Sequence, residues 1–144
     1  MLKNMAFFVF QHRQQGRPVR YRVLRYPECI TSGALPMTCT SALRHIVLCD
    51  FLEGITPAKH AELVYEFSQL KHRIPGVQQF EWGPNVSPEG LDDGFTDCFT
   101  LTFNDAVARD VYLTHAAHLA FVEQLKPWLG RVLVFDYYPQ EHPG

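Results

Sequence analysis

A phenol and two imidazoles stand within seven residues, Tyr112-Leu113-Thr114-His115-Ala116-Ala117-His118. A neutral imidazole can take a proton from carbon beside a carbonyl, and a phenol can hydrogen-bond the oxygen on which charge then develops. His118 falls one turn into a helix, where the positive end of the helix dipole favours the uncharged ring. The competing reading is that Tyr112 and His118 are packed side chains whose polar tips satisfy nearby backbone groups. His115 and His118 share a helix face, but a metal would need a third ligand, with His45 the one obvious candidate. No metal and no cofactor are expected.

These residues need elements to hold them. Leu43 to Phe51 is β-rich, with His45, Val47, Cys49 and Phe51 on one face and Ile46, Leu48 and Asp50 on the other. Thr56-Pro57 is a helix start, a hydroxyl cap followed by proline at the first helical position. Val64, Phe67, Leu70 and Ile74, with Leu63, form the inner face of that helix, while Lys59, His60, Glu62, Glu66, Lys71 and Arg73 read as outward. Pro75-Gly76 stops it.

A second strand follows over Val77 to Gly83, with Phe80 and Trp82 on one side, then a polar loop over 84–94 and a third strand over Phe95 to Phe103. Glu89, Asp92, Asp93 and Asp97 read as a solvated acidic loop. Asn104 or Asp105 caps a short helix reaching Leu113, and Thr114 is expected to cap the next, with Ala117, Phe121 and Leu125 inward. Arg131 to Tyr138 is the last strand. The order β-α-β-β-α-β predicts an α+β, ferredoxin-like domain, a four-stranded antiparallel sheet with helices on one face. The other face is left apolar, which predicts a homodimer with the open sheet faces packed together, a dimeric α+β barrel.

At 144 residues and 47% hydrophobic, the chain has the makings of one core. The four cysteines, Cys29, Cys39, Cys49 and Cys98, show neither a C-x-x-C pair nor metal-type spacing, which points to a reducing, cytoplasmic setting. No apolar run reaches the length of a membrane span. Residues 1–42 carry six Lys/Arg against one acid, Glu28. They are expected to be a basic N-terminal extension, disordered or translated from upstream of a start at Met37; the alternatives are an organelle-targeting peptide and a nucleic-acid-binding arm. The domain itself is expected over 43–138, with a short tail over 139–144, and neither nucleic acid nor membrane is an expected partner.

Several dispersed motifs resemble the stress-responsive A/B barrel (Dabb) domains. They are His45-Ile46-Val47-Leu48, Ile74-Pro75-Gly76, Phe80-Glu81-Trp82-Gly83 with Asn85-Val86-Ser87, Gly94-Phe95-Thr96, the Tyr112–His118 stretch, and Val134-Phe135-Asp136-Tyr137. The family often has proline where this chain has Ala116. The resemblance implies a stress-associated, small-molecule-binding dimer with no assigned reaction. One plant branch, similar to olivetolic acid cyclase, closes poly-β-keto chains by aldol condensation. It implies Tyr112 and His118 as a catalytic pair and His45 as a pocket residue; Asp97 and Phe121 are also expected to line the pocket. Asp97 stands where that branch has a further pocket histidine, a departure that sets this chain apart. A third reading is a monooxygenase of the antibiotic-biosynthesis type, for which the sequence carries no haem or flavin signature. The expected ligand is small and apolar or aromatic.

Overall fold

The computed structural model describes residues 42–140, and the expectations for 1–41 and for the end of the tail lie outside them. The elements run β1 (Leu43–Phe51), α1 (Pro57–Arg73), β2 (Val77–Pro84), β3 (Asp97–Phe103), α2 (Ala106–Thr114), α3 (Ala116–Leu125), a 3-10 turn at Lys126–Trp128, and β4 (Leu129–Tyr137). The sheet order is β2-β3-β1-β4, all antiparallel, the ferredoxin-like α+β arrangement.

Alternation in β1 fixes the two layers. Leu43, His45, Val47, Cys49 and Phe51 are buried under the helices, with half-buried residues between them. Residues paired across an antiparallel ladder share a face, so Leu101 and Asp136 join His45, Phe99 and Val134 join Val47, and Asp97 and Val132 join Cys49. Leu63, Phe67 and Leu70 of α1 and Phe121 and Leu125 of α3 close this core. Phe67 is its hub, with ring centroids 4.6 Å from Phe99 and 4.8 Å from Phe121.

The caps explain where the helices start. Thr56 accepts the Lys59 N–H at 3.2 Å, and Asp105 accepts that of Ala108 at 2.8 Å. The third cap differs from expectation: His115, through Nδ1, accepts the Ala117 N–H, while the Thr114 hydroxyl donates back to the Asp110 and Val111 carbonyls. The two helices therefore meet at an extended His115, and that bend brings Tyr112 and His118 together. Gly76, at φ +89°, makes the turn into β2; a Cβ there would sit 2.7 Å from that of Ala108, so α2 packs directly on the turn.

The other sheet face carries Ile46, Leu48, Cys98, Thr100, Leu133 and Phe135, with Phe135 59% exposed. β4 is also uncovered on its helix side, where Val134 is 53% exposed. This leaves an apolar strip beside His45 and Asp136.

Candidate ligand site

Tyr112 is the fixed point. Its ring is wholly buried, against Phe103 at 5.0 Å, and its hydroxyl is buried without a hydrogen-bond partner. Burial also pushes its pKa up, so it stays a neutral donor. A buried hydroxyl with no partner costs about 1–3 kcal/mol, so a retained one asks for a reason.

Two imidazoles flank that ring. His118, from the first turn of α3, lies with its centroid 4.4 Å away, and its Nδ1 donates to the Leu113 carbonyl at 3.1 Å. That bond leaves Nε2 as the free acceptor. Burial, and then the nearby rings of His45 and His115, lower the His118 pKa below 6.5, against the opposing pull of the Leu113 carbonyl. His45, from β1, stands edge-on at 6.1 Å and bonds Asp136 Oδ1 through Nδ1 at 2.6 Å.

Asp136 is shared. Its second oxygen accepts from Arg109 Nη1, and Arg109 Nε donates to Asp110 at 2.8 Å. Burial opposes the Asp136 charge, but the bonds and charges of His45 and Arg109 outweigh it and hold the carboxyl below its ordinary pKa. Sequence reasoning missed Arg109, whose partner is 27 residues away on another element. The one available signal was its place one turn before Tyr112 on the same helix face.

Asp97 belongs to a different cluster. It pairs with Cys49, whereas His45 pairs with Leu101, four residues further along β3, roughly 13 Å at about 3.3 Å per residue. Only 5% exposed, Asp97 accepts from Trp82 Nε1 at 2.8 Å, from Thr96 Oγ1 at 2.7 Å and from His60 Nε2 at 3.0 Å. It is therefore not part of a solvated loop, and His60 turns inward from α1 rather than out. Phe121, buried against Phe67, lies in the aromatic core. The structure thus joins Tyr112, His118 and His45, adds Asp136 and Arg109, and sets Asp97 apart.

His115 Nδ1 is occupied by its cap, and the described residues contain no group of three or more His, Cys, Asp or Glu side chains able to hold a metal. Beside Asp97, burial raises the Cys49 thiol to about 12, which makes it a packing group rather than a nucleophile. No helix among the described residues is long and apolar enough to cross a membrane.

Known proteins are similar to this domain in sequence and fold. The model of the stress responsive A/B barrel domain matches residues 43–139. The chain is 36% identical over 97 residues to the stress-response A/B barrel domain-containing protein HS1 of Arabidopsis thaliana, covering 67% of this chain and 89% of that one. It is 27% identical over 100 residues to olivetolic acid cyclase of Cannabis sativa, covering 69% and 99%. The crystal structure of At3g17210 from Arabidopsis thaliana superposes with a TM-score of 0.69 at 35% identity, over 70% of this chain and 98% of that one. Structural neighbours also include dimeric ferredoxin-like proteins, one of them from Jannaschia sp. CCS1 at 25% identity and a TM-score of 0.60, over 67% and 97%. The chain belongs to the stress-responsive A/B barrel domain family.

Proposed function

We propose that the protein is a homodimer that binds a small aromatic or apolar molecule beside Tyr112. The observation that carries this is the Tyr112 hydroxyl, buried and unpartnered between two histidines that each keep Nε2 free of protein bonds among the described residues. A ligand oxygen would complete all three. The apolar strip of Val132 and Val134 supplies a wall for the rest of it.

The dimer would cover Ile46, Leu48, Leu133 and Phe135, a patch that is costly to leave in water. The dimeric ferredoxin-like neighbours support that arrangement.

A second reading is cofactor-independent ring closure of a polyketide-like chain, with His118 as base and Tyr112 as donor to the developing enolate. The lowered His118 pKa favours it, because a neutral imidazole is the form that accepts a proton. The similarity to olivetolic acid cyclase supports it as well.

Native mass spectrometry of the purified full chain tests the first reading. A dimer that carries a small organic adduct, lost in Tyr112→Phe with His118→Ala, is the expected result. An adduct retained in that double variant would place the ligand elsewhere, and a monomer would overturn the dimer.

A further inference from the structure

The open sheet face carries charge as well as apolar side chains. Arg44 pairs with Thr102 on one side and Tyr137 on the other, so it shares the face of Ile46 and Leu48. Glu81 pairs with Thr100, which pairs with Ile46, and therefore stands on that face too. Asp50 and Arg131 occupy its far end and bond each other at 3.2 Å, with Asp93 as a further acid on Arg131. Arg44 and Glu81 have no such arrangement. Arg44 Nη1 is buried with no hydrogen-bond partner, and the exposed Glu81 carboxylate has no bond or ion pair among the described residues. Two strands and two residues separate them, roughly 12 Å between Cα atoms at about 4.8 Å per strand and 3.3 Å per residue. They do not pair within one subunit.

We propose that Arg44 of each subunit is neutralised by Glu81 of its partner, so that two symmetric ion pairs join the apolar faces of the dimer. The inference rests on the homodimer reading above and adds the residues that make the face complementary to itself. A buried guanidinium nitrogen without an acceptor is costly. Covering the face with a second surface deepens that cost unless the surface brings a carboxylate. A second copy brings one, because a two-fold axis sets the face against itself and so presents Glu81 as well as Arg44. A foreign surface of the same apolar character but without the acid would leave Arg44 bare, so the pair favours self-association.

Native mass spectrometry of the full chain, at concentrations spanning the dissociation constant, tests the pairing with two charge reversals. The wild type is expected to be a dimer. Arg44→Glu and Glu81→Arg should each weaken self-association by about a hundredfold or more, since each homodimer would hold two like-charge contacts. Mixing the two variants should restore a heterodimer, recognised by its mass, because both of its contacts then join opposite charges. A wild-type monomer overturns the homodimer reading and the inference with it. A wild-type dimer with either variant associating as tightly overturns the pair alone, as does a mixture that stays monomeric. Should a reversal fail to fold, Arg44→Gln and Glu81→Gln replace it in a double-mutant cycle. Each should weaken the dimer about tenfold or more, with the double variant little worse than either, and additive losses overturn the pair.

Discussion

The rings of Tyr112 and His118 lie 4.4 Å apart on two different helices, and only the imidazole has a protein partner. His115 makes this possible by ending α2 and capping α3 in extended backbone. The pair is therefore a product of the bend, and a continuous helix would not place the two rings in this way.

The lowered His118 pKa carries a pH signature. Its folded pKa is below the unfolded value of about 6.5, so as pH falls below 6.5 the unfolded chain binds a proton that the folded chain resists. Stability should fall with pH in that window until His118 itself titrates. His118→Gln should show a shallower fall, as measured by urea denaturation across pH 5 to 7. An unchanged slope would remove the burial argument.

Asp136 has the opposite chemistry and a lower window. Its depressed carboxyl contributes stability that is complete above about 3.8 and is lost as pH falls through the still lower folded value. Arg109→Met should raise the Asp136 pKa, read from its carboxyl carbon shift.

The Asp97 cluster is structural. Asp97→Ala would strand the Trp82 N–H, the Thr96 hydroxyl and the His60 ring, at a cost of about 2–4 kcal/mol in denaturant unfolding. Loss of less than about 1 kcal/mol would show that these donors find other partners.

Much of the fold was legible because it depends on local pattern. β1 matched its expected bounds, Leu43–Phe51, since period-two burial was written in the residues themselves. The Thr56-Pro57 start held for the same reason, as a cap and proline act within one turn. What was not legible depends on register between distant strands. His60 was placed outside with Lys59 and Glu62, although its spacing from Leu63, Val64 and Phe67 continues the inner stripe. Asp97 read as loop because nothing local shows that β3 turns it towards α1. Asp136 stands out in the sequence only as part of the Val134–Tyr137 motif, since its partners His45 and Arg109 are 91 and 27 residues away.

The dimer proposal makes a simple prediction. Leu133→Glu with Phe135→Glu places charge on the open sheet face while leaving the helix-side core untouched. Light scattering after size exclusion should give a dimer for the wild type and a monomer for the variant. A monomeric wild type would contradict the proposal.

The most direct test of the central claim is the unfolding free energy of Tyr112→Phe against the wild type in urea. If the hydroxyl is kept for a ligand, its removal relieves a buried unsatisfied group, and the ligand-free variant should be as stable as the wild type or up to about 1 kcal/mol more so. Destabilisation by more than about 1 kcal/mol would show that the fold itself uses the hydroxyl, and would contradict the account.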